Sequence, residues 1–239
     1  MIKAFSQMVL SISFLAVSFI ADATLITNGG FEQLRFEDDS RSSGIVFNTN
    51  LAAYERKRRA WDVFYTLPGW VTSYGNGIEL QKNVVTRSQE GKHHVELDSH
   101  PRGASNTVMS QTIDSLILGN DYLLEFYYKP RTYRFNDNGI NVFWQDSALD
   151  FEVDMQASFI ADGTRRTIPD WIKQSVVLTA QSESMSLSFG SFGRQNTLGG
   201  LIDNVSLTQV TSVPEPSTMI LFMLSFGFFV LRPRKQLEL

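Results

Sequence analysis

Met185, Leu187 and Phe189 alternate with Ser186 and Ser188. An apolar residue at every second position is the signature of a strand with one buried face, because successive side chains leave a strand on opposite sides. A helix would scatter the same residues around its circumference. The period recurs in Tyr122, Leu124, Phe126 and Tyr128, in Ile140, Val142 and Trp144, in Phe151, Val153 and Met155, and in Val176, Leu178 and Ala180. Val95 and Leu97 share one face of His93 to Ser99, with His94, Glu96 and Asp98 on the other. Ile78 to Val85, Val108 to Ile113 and Leu201 to Val210 also read as strands. Turn sequences such as Leu118-Gly119-Asn120-Asp121, Asn136-Asp137-Asn138-Gly139 and Gly199-Gly200 separate them. Short strands between turns predict an all-β sandwich, with a short helix expected in Ala52 to Arg59.

The two ends are of another kind. Lys3 precedes an apolar run from Met8 to Ile20 and the triplet Ala21-Asp22-Ala23. This is the order of a secretory signal peptide cut after Ala23. At the other end, Val213-Pro214-Glu215-Pro216-Ser217-Thr218 leads into an apolar run from Met219 to Leu231 and then Arg232-Pro233-Arg234-Lys235. Each proline fixes its own φ and biases its predecessor away from helix, so the Pro-Glu-Pro element is extended and stiff. The apolar run falls short of the roughly 20 residues that span a bilayer, although flanking Arg and Lys can snorkel. Val213 to Lys235 resembles the PEP-CTERM sorting signal of exported bacterial proteins. The resemblance implies recognition of Pro214, Glu215 and Pro216 by an exosortase-type membrane protease. It implies transient inner-membrane insertion with the basic cluster cytoplasmic, then release to the cell surface or the extracellular space. A plain C-terminal membrane anchor or a buried terminal helix is the alternative. The expected organisation is a signal peptide over 1–23, one domain over 24–211 and a hydrophobic sorting helix within 212–239.

The chain has no cysteine, so neither a disulfide nor a thiolate metal site is available, and packing or a bound ion must hold an exported domain together. Its net charge of −4 mixes both signs and gives no nucleic-acid footprint. Leu34 to Thr66 reads as a charged insertion, with Glu37, Asp38 and Asp39 followed by Tyr54-Glu55-Arg56-Lys57-Arg58-Arg59. The basic run is open to two readings, solvated surface or a contact for anionic partners.

Between the ends, a series of motifs resembles the jelly-roll modules of the galactose-binding-domain-like class, which includes carbohydrate-binding modules. These are Asn28-Gly29-Gly30-Phe31-Glu32, Pro68-Gly69-Trp70, Gly91 with Val95-Glu96-Leu97-Asp98-Ser99, Ser110-Gln111-Thr112, Asp121-Tyr122, and Ile202-Asp203-Asn204-Val205-Ser206-Leu207. The resemblance implies a jelly-roll β-sandwich whose first and last strands lie together, with a structural Ca²⁺ where they meet. Glu32 and Asp203 supply hard oxygens suited to that ion. Asp203 shares the period of Val205 and Leu207 and is expected to face inward, where a carboxylate needs a partner. The alternative is that both acids cap turns or pair with arginine.

Glycan sites place flat rings against sugar faces and amides or charges against hydroxyls. Trp70, Tyr74 and Trp144 are the candidate stacking rings, beside Tyr133, and Arg131 is a candidate hydrogen-bond donor. His93-His94-x-Glu96-x-Asp98-x-His100 has metal-like spacing but lacks His-x-His, and reads as a solvated strand face. Neither a nucleophile elbow, a His-Glu-x-x-His motif nor a phosphate loop is present in the sequence. The expected function is that of a non-catalytic surface or extracellular-matrix protein that binds polysaccharide. The alternatives are a structural matrix protein without a ligand and a glycan hydrolase.

Overall fold

The computed structural model describes residues 23–35, 51–100, 102, 105–134, 136–146, 155–159 and 170–210. The expected signal peptide up to Asp22, the acidic patch Glu37 to Asp39, the strand residues Phe151 and Val153, and the tail from Thr211 lie outside them. Among the described residues no helix is long and apolar enough to cross a membrane.

The period-two segments form two antiparallel six-stranded sheets, the sandwich that the alternation predicts. The front sheet runs β1 (Ala60–Phe64), β4 (Ile78–Lys82), β5 (His94–Glu96), β12 (Gly200–Gln209), β7 (Asp121–Pro130) and β10 (Ile172–Thr179). The back sheet runs β2 (Thr66–Leu67), β3 (Trp70–Tyr74), β6 (Val108–Ile113), β11 (Met185–Phe192), β8 (Gly139–Gln145) and β9 (Met155–Phe159). Leu80, Val95, Ile202, Leu124, Phe126 and Tyr128 from the front meet Trp70, Met109, Val142, Leu187 and Phe189 from the back. The Phe126 and Phe189 rings pack edge to face at 5.0 Å. Removing either ring costs about 3–5 kcal/mol in a core of this kind.

The motifs along the chain lock onto one another. Asn28, at φ 55°, donates from Nδ2 to the carbonyls of Gln33 and Pro68, and its own carbonyl accepts from Trp70 Nε1. Gln111 accepts from Thr27 N through Oε1 and donates to Thr27 O through Nε2, so its amide substitutes for a neighbouring strand. Leu25 N donates to Leu207 O and Val205 N to Gly29 O, which lays the opening segment beside β12.

Part of the charged segment Leu34 to Thr66 is built into the sandwich, and one expectation, the inward orientation of Asp203, is corrected. Leu51–Arg56 forms the expected helix α1, which buries Leu51 and Tyr54 in the core, and β1 is the edge strand of the front sheet. Asp203 does not share a face with Val205 and Leu207. Asn204 adopts φ 50° and the register of β12 on β7 shifts between Asp203 and Ser206. The bulge keeps Ile202, Val205 and Leu207 in the core and turns Asp203 to the outer side of the sheet.

Candidate functional site

The outer face of the front sheet is where the chain concentrates its polar chemistry. Cross-strand partners project on the same side of a sheet. Trp61 pairs with Gln81, Gln81 with His94, Glu79 with Glu96, and Glu96 with Leu201. Their side chains therefore share the side opposite Leu80 and Val95. This face is covered, because Glu79, Gln81, His94 and Glu96 are all buried. The expectation of a solvated His94, Glu96, Asp98 face is thus corrected. Loops distant in sequence fold over it and bring the groups that neutralise it.

Glu96 receives Arg131 Nη1 on Oε1 at 2.7 Å and on Oε2 at 2.5 Å, and Gly199 N on Oε1 at 2.7 Å. Arg131 Nη1 also donates to Thr197 O at 2.9 Å. Gln81 Nε2 donates to Glu96 Oε2, and to Glu79 Oε1 at 3.0 Å. Glu79 Oε2 in turn takes His100 Nδ1 at 2.8 Å. The His100 imidazole stacks on the Trp61 indole, with ring centroids 4.5 Å apart and planes 27° from parallel. The network ends there at the surface, since Trp61 is 37% exposed. Burial, reinforced by the Glu79 charge, pushes the Glu96 carboxyl well above its usual range, and Arg131 opposes the shift. Asp98 anchors the covering loop by accepting from Asn196 N and Leu198 N, and from Ser105 Oγ.

His94 stands on the same face with Nδ1 3.0 Å from Ser88 Oγ and its ring edge-on to Trp171. Its Nε2 is buried without a hydrogen-bond partner. Burial, with smaller contributions from His93, Lys129 and Arg131, lowers its pKa to about 3.

Glu32 and Asp203 both grip the loop before β5. Glu32 Oε1 accepts from Lys92 N and His93 N, and Oε2 lies 2.8 Å from His93 Nδ1. Asp203 Oδ2 accepts from Gln89 N and Glu90 N, and Oδ1 from Asn204 N. Burial outweighs these donors and pushes the Asp203 carboxyl up to about 7. All four carboxylate oxygens face N–H groups, so both acids act as hydrogen-bond acceptors for the loop. Among the described residues no group of three or more His, Cys, Asp or Glu is placed to hold a metal.

The predicted ligand-binding residues do not converge. Trp70 and Trp144 are core residues of the back sheet, with their indole N–H groups on Asn28 O and Thr179 O, so neither ring offers a face to a sugar. Tyr74 is exposed at the end of β3, and Arg131 is committed to Glu96. Trp61, Glu79 and Gln81 escaped the sequence reading. The signal available was the run of alternate polar positions in two strands of one sheet.

The comparisons place the chain's tail. Residues 212–235 match the model of the PEP-CTERM protein-sorting motif. The chain carries a PEP-CTERM sorting motif. It marks a secreted, sorted protein and implies processing by an exosortase. Elsewhere the chain is 26% identical over 148 residues to the multifunctional-autoprocessing repeats-in-toxin protein of Vibrio cholerae, a match that covers 60% of this chain and 3% of that protein. Among solved structures it is similar to TmCBM61 in complex with β-1,4-galactotriose, at 14% identity and TM-score 0.38 over 78% of this chain and 99% of that one. It is also similar to the C-terminal CBM6 of LamC, a laminarinase from Zobellia galactanivorans, at 13% identity and TM-score 0.37 over 57% and 92% of the two chains.

Proposed function

We propose that this exported, sorted protein works at the cell surface or in the extracellular matrix, where it binds polysaccharide without cleaving it. The observation that carries this reading is the Trp61 indole, exposed at the surface and backed by His100, whose ring is held by the buried Glu79 carboxylate. An aromatic ring fixed from behind is a ledge on which a sugar can stack with little loss of side-chain freedom. Glu79 and Glu96 support binding rather than hydrolysis on this reading. Their oxygens are tied to His100, Gln81, Arg131 and Gly199, which leaves them poorly placed to attack or protonate a glycosidic bond.

The full chain should be retained on insoluble neutral polysaccharides, and Trp61→Ala should weaken retention roughly tenfold or more while the fold survives. Unchanged retention by that variant would overturn the assignment of the site. Release of reducing ends by the wild-type protein, lost in Glu79→Gln, would favour a hydrolase instead. Intact mass of the native protein tests the sorting step, with loss of the tail beyond Pro216 as the expected result.

A further inference from the structure

The basic run before β1 has a structural counterpart that the ledge does not use. Ala60 pairs with Lys82 in antiparallel register, so residues entering β1 and residues leaving β4 emerge side by side. Arg58 and Arg59 from the first segment and Arg87 from the second line one cleft of about 350 Å³, floored by Asn83, Val84, Val85 and Thr86. The loop is held in shape, since Asn83 adopts φ 53° and Trp171 Nε1 donates to the Arg87 carbonyl at 3.0 Å. Arg58, Arg59 and Arg87 are exposed and none forms an ion pair with a described residue. By contrast, Arg35, Lys129, Arg131 and Lys173 each have a carboxylate partner within 3.0 Å. Three guanidinium groups around one concavity, with no ion-pair partner among the described residues, repel one another and lower their mutual energy by sharing an anion.

We infer that this cleft binds the anionic groups of an acidic polysaccharide. The guanidinium fork matches the paired oxygens of a carboxylate or a sulfate ester, which is the shared chemistry of uronate and sulfated glycans. Val84 and Val85, each more than a third exposed, offer an apolar patch for the C–H face of a sugar ring, and Asn83 and Thr86 offer polar atoms for its hydroxyls. The volume suits one or two sugar units rather than a nucleic-acid duplex. The net charge of −4 also works against a general polyanion surface. Arg59 stands two residues before Trp61, at the same edge of the front sheet. The inference rests on the polysaccharide-binding reading above and adds the class of polysaccharide.

The test compares full-length wild type, Trp61→Ala and the triple variant Arg58→Gln, Arg59→Gln, Arg87→Gln by affinity electrophoresis. The probes are a neutral galactan, polygalacturonate, dextran sulfate and a DNA duplex. Wild type should bind polygalacturonate or dextran sulfate at least about tenfold more tightly than galactan at low salt, and the preference should shrink as salt is raised. The triple variant should lose that preference and keep galactan binding. Tighter retention by polygalacturonate than by dextran sulfate identifies carboxylate as the group read, and the reverse identifies sulfate. Equal binding of the acidic probes by wild type and triple variant overturns the inference, as does tighter binding of DNA than of either glycan. Galactan binding through Trp61 with no acidic preference sinks this inference alone. Failure of wild type to bind any glycan sinks the polysaccharide reading with it.

Discussion

Glu79 and Glu96 stand directly opposite each other on β4 and β5, both buried, and Gln81 Nε2 donates to both. Two carboxylates in one buried pocket repel, and the Arg131 guanidinium is the charge that holds Glu96 there. Replacing Arg131 with Met should therefore leave an uncompensated buried carboxylate and destabilise the protein by about 3 kcal/mol. Adding Glu96→Leu to that variant should recover most of the loss, because the charge that needed a partner is gone. Urea denaturation midpoints of the two variants provide the comparison. A double variant no more stable than Arg131→Met would show that Arg131 matters for packing rather than for charge.

The strands that could be read in advance are those whose alternation has a single cause. Met185 to Phe189 puts its apolar residues only toward the core, and Tyr122 to Tyr128 keeps Tyr122, Leu124, Phe126 and Tyr128 there although Leu123 and Tyr127 face outward; both are strands with the core-facing side buried. β1 was hidden because Ala60-Trp61-Asp62-Val63-Phe64 breaks the pattern. Asp62 is buried at a position in register with the core residue Leu80, and Trp61 and Val63 are apolar on the outer side. The buried polar face was hidden for a different reason. Its alternation is that of a solvated strand, and its cover comes from Arg131, Thr197 and Gly199, which no local period connects to Glu96. The bulge at Asn204 reversed Asp203 without changing the hydrophobic pattern around it.

The two glycines of Asn28-Gly29-Gly30 should differ sharply. A Cβ on Gly29 would lie 1.9 Å from the Val205 carbonyl oxygen, a backbone atom that cannot turn aside, whereas a Cβ on Gly30 meets nothing within 4 Å. Gly29→Ala should part the opening segment from β12 and cost about 3 kcal/mol or more. Gly30→Ala should leave stability unchanged or raise it by up to about 1 kcal/mol, since it restricts only the unfolded chain. Thermal unfolding of both variants decides. Similar losses at both positions would mean that the contact of Gly29 with Val205 does not set the requirement.

With their oxygens turned toward N–H groups, Glu32 and Asp203 should stabilise the protein as hydrogen-bond acceptors. EDTA should leave the melting temperature unchanged, and Glu32→Ala should cost about 1–3 kcal/mol by stranding Lys92 N, His93 N and the buried His93 ring. Elemental analysis of the purified protein gives an independent check. A melting temperature that falls on chelation and returns with Ca²⁺ would restore the metal site expected from the resemblance.

His94 should make the fold acid-sensitive. Burial holds its pKa at about 3 against an ordinary 6.5, so the unfolded chain takes up a proton that the native state refuses. The His94 contribution is complete above pH 6.5 and is lost progressively as pH falls from 6.5 toward 3. Asp203 has the opposite sign. Its carboxyl is raised from 3.8 to about 7, so its contribution is complete below pH 3.8 and is lost as pH rises to about 7. The two effects overlap, and a single stability profile would blur them. The difference between wild type and His94→Gln isolates the histidine, because Asp203 is common to both. Urea unfolding at several pH values between 7.5 and 4 should show wild type losing stability relative to the variant as pH falls. A difference that stays constant with pH would mean that the His94 pKa is not shifted by folding, and that its environment on the outer face of β5 admits water.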